Sequence, residues 1–334
     1  MDNNNTLFAL YGQDGLPWEL IFLTAVRSLI STIGMFFNIS LLYVTIKSKS
    51  LNGPCNFLIA FDAAACAWFE LGSWVSMGHI LLGHQFISIR LCCAQLLLPF
   101  FCGIYASMSA NLLIAFDRLL SIIFPMWYAM RKPTRLYRFC LILLCCSLFP
   151  SFIVQTIFRL VLETSKERFV ICIPHECIWG WARDQNYALN FVVTGMTVST
   201  YFVIWILLSK RNRNAQNTSL ASDVWTRHIL KALAFLMALQ FAGHTVSSVA
   251  RLSVPHLQLT VTSSAVTRLL ISFLPNIAIA INAPVLYKMN TEYRQAFQNV
   301  FKFLRSSSTY VTTNSQQKRW AHRVHRSVSE HQKL

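Results

Sequence analysis

Apolar residues in this chain come in long unbroken runs, without the strict alternation of a half-buried strand or the single stripe of a surface helix. A helix needs about 20 apolar residues to cross the hydrocarbon core of a bilayer. At that length the chain reads as seven spans, over 18–46, 56–82, 92–124, 136–161, 187–209, 228–253 and 263–287. The seventh reads as the weakest, because Ser, Thr, Arg and Asn interrupt it. The pattern predicts an all-α membrane protein in four parts: an N-terminal segment 1–17, a seven-transmembrane helix bundle over 18–287, an amphipathic juxtamembrane helix over 288–304 and a disordered cytoplasmic tail over 305–334. In the juxtamembrane part, Tyr293, Phe297, Phe301 and Leu304 recur at helical spacing among polar and basic residues, as an interfacial helix requires.

The polar interruptions are the informative positions, because each is costly in lipid unless it has a partner or a purpose. Asp117 and Arg118 stand side by side at the end of the third run, in Ile114-Ala115-Phe116-Asp117-Arg118-Leu119. They read either as an interfacial anchor, with Arg118 snorkelling to the surface, or as a functional pair. Asp62 lies about two turns into the second span, where it is either a neutral hydrogen-bonded acid or a cation or switch site. Asn38, Ser107, Asn111, Asn276 and Asn282 fall at similar depth in three further spans, so a polar cluster over four helices is expected. Pro284, two residues after Asn282, makes a hinge or an ordinary helix end. Glu70, Gln95, Asn190, Thr194, His244 and Arg268 lie in the other halves of their spans, with Trp68, Trp74 and Tyr105 nearby. Aromatic walls with a few polar anchors are how small-ligand cavities are built.

Composition agrees with the pattern. Charged residues make up 13% of the 334 and hydrophobic ones 54%, where a soluble domain has about 25% charged residues. The net charge of +16 does not point to nucleic acid, because Lys and Arg concentrate in the loops after spans one, three and five and in the tail. That is the positive-inside pattern, with attraction to anionic lipid added. It puts the N-terminus outside and the C-terminus in the cytoplasm. With no basic leader, the first span is expected to act as an uncleaved signal anchor. The sequon at Asn4 then lies on the outer side, open to glycosylation, whereas those at Asn38 and Asn217 do not. Of ten cysteines, Cys92, Cys93, Cys172 and Cys177 fall in or beside outer loops, where a disulfide is permitted.

Taken together, these residues resemble a rhodopsin-like G-protein-coupled receptor, and more narrowly the nematode serpentine chemoreceptors of the Srsx class. The resemblance is carried by Gly34 with Asn38 in helix one, Leu58 with Asp62 in helix two, Ser107 and Asp117-Arg118-Leu119 in helix three, Pro284-Val285-Leu286-Tyr287 in helix seven, and Tyr293-Arg294-Gln295-Ala296-Phe297 at the start of helix eight. Leu119 departs from the family's Asp-Arg-Tyr, Ala283 separates Asn282 from Pro284, and helix six lacks Cys-Trp-x-Pro, so no toggle residue carries over.

The resemblance implies an activation switch of Asp117, Arg118, Tyr201, Pro284 and Tyr287, and a connector of Asn38, Asp62, Ser107, Asn276 and Asn282, with a sodium ion at Asp62. It implies an outer ligand pocket to which Glu70, Trp74, Gln95, Asn190, Thr194, His244 and Arg268 are assigned. It also implies a disulfide from Cys93 to Cys172 or Cys177. The partners implied are a heterotrimeric G protein, an extracellular small molecule or peptide, and membrane lipid. The place implied is the plasma membrane, sensory-neuron cilia included. No enzymatic constellation is visible. A receptor for a neuropeptide or another endogenous ligand is the alternative, and a transporter or channel a more remote one. Glu70 offers itself to a cationic ligand or to Arg268.

Overall fold

A computed structural model describes the backbone of residues 7–130, 135–147, 149–163, 168–214 and 221–302. Asn4, Asn217, Leu304 and the tail lie outside the described residues. Seven helices are long and apolar enough to cross a membrane: Trp18–Lys47, Pro54–Leu81, Ile89–Ile123, Arg138–Leu160, Gly180–Lys210, Ala232–Ser253 and Val261–Met289, here spans one to seven. The protein is an all-α seven-helix membrane bundle, as the apolar runs predict. The seventh span is not the weakest. It is among the more apolar, and span two is the least so. The Ser and Thr of span seven gather at its start and leave a dense Leu/Ile/Phe/Ala run behind them, whereas span two carries Asn56, Asp62 and Glu70 among many small residues.

Three spans are irregular, each at a proline. Span three passes through a π-helical turn, Leu97–Cys102, around Pro99, whose missing N–H breaks the regular ladder. Span four is made of Arg135–Ser147 and Pro150–Glu163, with Pro150 opening the second helix, a position where its lost donor has no partner to miss. Span seven breaks at Ile281 into Val261–Ala280 and Asn282–Met289. Pro284 sits in the first turn of the second piece, where it is tolerated for the same reason. Pro275 lies inside the first piece, a second weak point that the sequence reading passed over.

Close helix approach is set by glycine. A Cβ at Gly103 would stand 2.7 Å from the backbone nitrogen of Phe69, and one at Gly34 would stand 2.9 Å from the Ala280 Cβ. Spans two and three, and spans one and seven, meet at distances that only glycine permits.

Three apolar clusters result among the described residues: a small one of Leu16, Leu20, Ile171, Ile173, Ala265 and Leu269, and two larger cores. One larger core, at the end bearing Lys47, Arg118 and Lys288 (the basic end), gathers Leu58, Ile114, Leu233 and Tyr293. The other, at the disulfide end, gathers Phe69, Tyr105, Ile153 and the four disulfide cysteines. There Ile87–Ser88 pairs antiparallel with Phe169–Val170, closing the loop over the bundle. Beyond Asn290, residues 291–302 are helical. Their buried stripe is Tyr293, Ala296 and Val300, while Phe297 and Phe301 stack on each other at 6.0 Å on the more open side. The stripe expected through Phe297 and Phe301 is therefore rotated by about one position.

Candidate functional site

At the basic end, Asp117 is held from two sides. Arg118 Nη2 lies 3.4 Å from its carboxylate, and the Tyr128 hydroxyl donates to both carboxylate oxygens at 3.1 and 3.0 Å. Tyr128 comes from the short helix Pro125–Met130, which follows the kink at Phe124. Burial, and then the Asp117 carboxylate beside it, push the Tyr128 phenol above its ordinary range, so it remains a donor. Tyr201 is buried with its hydroxyl unpartnered among the described residues. Tyr287 is not brought in. It is 41% exposed, edge-on to Phe297 at 5.8 Å, because the break at Ile281 restarts the helix with Ala283 and Leu286 facing inward. Tyr293 takes the interior place instead, 0% exposed, with its hydroxyl 3.4 Å from Asn56 Oδ1.

Between the two larger cores lies a polar layer. The Ser107 hydroxyl donates to Asp62 Oδ1, Asn111 Nδ2 donates to Gln240 Oε1 at 2.9 Å, and Gln240 Nε2 donates to Asn282 Oδ1 at 3.1 Å. Cys66 closes the ring, 3.3 Å from Ser107 Oγ and 3.6 Å from Asn282 Nδ2. Spans two, three, six and seven are joined. Asn38 and Asn276, which the sequence placed in this cluster, lie elsewhere. Asn38 Nδ2 reaches the Ile279 carbonyl at 3.4 Å, and Asn276 Nδ2 reaches Ser31 Oγ at 3.4 Å. Six residues separate Asn276 from Asn282, which turns the two onto different helix faces.

At the disulfide end lies a cavity of about 80 Å³. Phe69, Phe100, Phe101 and Tyr105 form apolar wall, and Asn186, Asn190 and His244 face the same space. Tyr105 donates to Asn186 Oδ1. Arg27, Arg183 and Arg251 line it too. Its cover is the segment 172–177, which carries Pro174 and His175 inward. Disulfides Cys92–Cys172 and Cys93–Cys177 fix both ends of that cover. Burial, then Arg251, Arg268 and Arg27, hold the His175 imidazole well below its ordinary pKa, so it is neutral.

Of the residues assigned to the pocket, Asn190 and His244 line this cavity. Thr194 lines a smaller space just below it, which His244 shares with Ser107, Asn111 and Gln240. Arg268 lines a space beside the cover with Arg168 and Glu176. Trp74 and Gln95 are not in the pocket. Trp74 is 40% exposed, with Nε1 donating to Thr32 Oγ1 at 3.1 Å, and exposed Gln95 meets His79. Both turn outward, as amphipathic side chains at a membrane border do. Glu70 is 0% exposed, packed against Gly34 and outside the cavity lining. It forms no ion pair with Arg268; the nearby cation is Arg27.

Seven membrane helices, a doubly stapled cover over a cavity, and an acid–arginine pair closing the far end define a serpentine receptor architecture. The family model for the serpentine type 7TM GPCR chemoreceptor Srsx matches residues 31–301, and the chain belongs to that family. Comparison with curated proteins finds no match.

Proposed function

We propose that the chain is a plasma-membrane chemosensory receptor that converts ligand binding in the disulfide-end cavity, outside the cell, into activation of a heterotrimeric G protein at its basic, cytoplasmic end. The observation that carries this is the closure of Asp117 by both Arg118 and Tyr128. A charge pair buried at a helix end and held by one phenol is a two-state element that a ligand can bias. Coupling has a physical route, since His244 belongs both to the cavity wall and to the space that reaches Ser107, Asn111 and Gln240. The break at Ile281 lets the end of span seven, with Pro284 in its first turn, move with that layer. Release of Arg118 from Asp117 frees its guanidinium toward Tyr201 and the G protein.

The polar layer also suits a sodium ion. Asp62 and Ser107 supply hard oxygen ligands, and the amide oxygen of Asn111 is buried without a partner among the described residues. Bound there, the ion supplies positive charge against the buried carboxylate. These three residues would hold it, and Cys66, a soft neighbour, would not contribute.

The test is guanine-nucleotide exchange on a panel of G proteins, in membranes carrying the chain or its Arg118→Ala variant at matched surface levels. The expected result is ligand-dependent exchange that falls to background in the variant. Exchange that survives the substitution removes the role given to Arg118.

A further inference from the structure

We infer that the cavity under the stapled cover is built to take a small organic anion, a carboxylate or a sulfate ester with an apolar body; this deepens the receptor reading and rests on it for the consequence of binding. The cavity is lined by Arg27, Arg183 and Arg251, and among the described residues no Asp or Glu lines it. The adjoining space shares His175, Arg183 and Arg251 with it and adds Arg168, Arg268 and a single acid, Glu176. That acid is already engaged by Arg168 at 2.9 Å.

Arg27 lacks what a buried cation needs, and Arg251, half-buried, has only a neutral hydrogen-bonding neighbour, Tyr187. Arg27 is 2% exposed, and the Nε atoms of both Arg27 and Arg251 are buried without a hydrogen-bond partner. No acid forms an ion pair with either among the described residues. Arg27 lies over the Phe100 ring at 5.8 Å, and Arg251 lies beside Tyr187 and Arg268. Removing an arginine from water is costly unless a counter-charge meets it. Among the described residues no acid meets either cation at ion-pair distance, Glu70 acting on Arg27 only from farther off, and a space lies beside the cations. Glu70 lies outside the cavity lining.

The planar guanidinium matches a carboxylate or sulfate edge with two parallel donors. The aromatic wall, of which Phe100 lies under Arg27, accepts a small apolar body. At about 10–15 Å³ of such volume per water, a cavity of about 80 Å³ holds the equivalent of about six waters. That is a single small ring or short chain with its headgroup. The same field excludes amines, by unpaired like charge rather than by shape.

The experiment uses the purified full chain in lipid nanodiscs, without G protein, so that loss of binding and loss of signalling are read separately. Probes of matched size are benzoate, phenyl sulfate, benzyl alcohol and benzylamine, titrated by calorimetry and by thermal shift at constant chloride. Benzoate or phenyl sulfate is expected to bind at least tenfold tighter than benzyl alcohol, and benzylamine not at all. Which anion leads separates the carboxylate from the sulfate source. Arg251→Gln is expected to lose tenfold or more for the anion and to leave benzyl alcohol unchanged, while Arg251→Lys keeps part of the affinity. Arg27→Lys, which retains the buried charge, replaces Arg27→Gln if the latter does not fold. Equal affinity for alcohol and anion, preference for the amine, no anion-dependent shift at tens of millimolar, or indifference to Arg251→Gln overturns the proposal. Anion binding without any nucleotide exchange keeps it and removes the receptor reading instead.

Discussion

The two ends of the bundle are closed by opposite means. At the disulfide end, covalent bonds fix the cover on both sides, Cys172 to Cys92 and Cys177 to Cys93, and a strand pair adds a further tie. At the basic end the ties described are polar contacts: Tyr128 to Asp117, Tyr293 to Asn56 at 3.4 Å, and Arg138 to Asn52 Oδ1 at 2.8 Å. A disulfide spanning this much chain stabilises by about 2–4 kcal/mol, and a hydrogen bond to a charged group by about 1.5–3. The cavity is therefore held ready, while the far end is held by interactions weak enough for a ligand's differential affinity to shift. The lesson is about placement: on the proposed reading, rigidity sits where recognition would occur and marginal stability where movement would be needed.

That contrast breaks first at the disulfides. Removing Cys93–Cys177 with a Cys93→Ala/Cys177→Ala pair is expected to cost about 2–4 kcal/mol, read as a fall in unfolding temperature in nanodiscs and as reduced surface expression. A negligible fall would mean that packing alone seats the cover. Next comes the phenol: Tyr128→Phe removes one hydroxyl and leaves the ring, and ligand-free nucleotide exchange is expected to rise about tenfold, the equivalent of about 1.4 kcal/mol. Basal exchange equal to the parent's would place the resting constraint elsewhere, with Tyr293→Phe the next variant to measure.

The smallest effect concerns pH. With a folded pKa below the unfolded value of about 6.5, His175 binds protons more readily when the chain is unfolded. Its contribution to stability is therefore complete above pH ~6.5 and declines at up to ~1.4 kcal/mol per pH unit below it. Melting curves between pH 7.5 and 5.5 should show a steeper acid loss in the parent than in His175→Gln, and 10 mM benzoate should flatten the parent's curve by offsetting Arg27, Arg251 and Arg268. Parallel curves for parent and variant would show that the folded chain does not lower the His175 pKa below its unfolded value.

Much of the architecture was legible because length and hydropathy decide it. Apolar runs of span length have one solution in lipid, and all seven are legible, with most ends within a few residues and span five starting at Gly180, seven residues before the apolar run at 187 suggests. The polar layer was legible in part. Asp62, Ser107, Asn111 and Asn282 were found as costly groups at one depth, but depth says nothing of helix face, so Asn38 and Asn276 were wrongly included. Gln240, which links spans three and seven, was missed although it is a lone amide in an apolar run. Arg27 was missed too, and it should not have been: a charge in the middle of span one answers to the same rule that singled out Asp62. Arg251 does not stand out in the sequence, because only the folded cover with His175 shows what lies over it. The pairing of four cysteines, two of them adjacent, depends on the path of the loop and is not written in spacing.

The double staple has a kinetic consequence. A cover fixed at both ends is held against swinging aside, and on the proposed anion reading the neighbouring space lined by Arg168, Arg183 and Arg268 would be the approach. For an anion that approach is downhill in potential before any contact forms, and association is accelerated by steering that added salt screens. The receptor would then filter its chemical world by arrival rate as much as by residence, favouring the right charge long before shape is consulted.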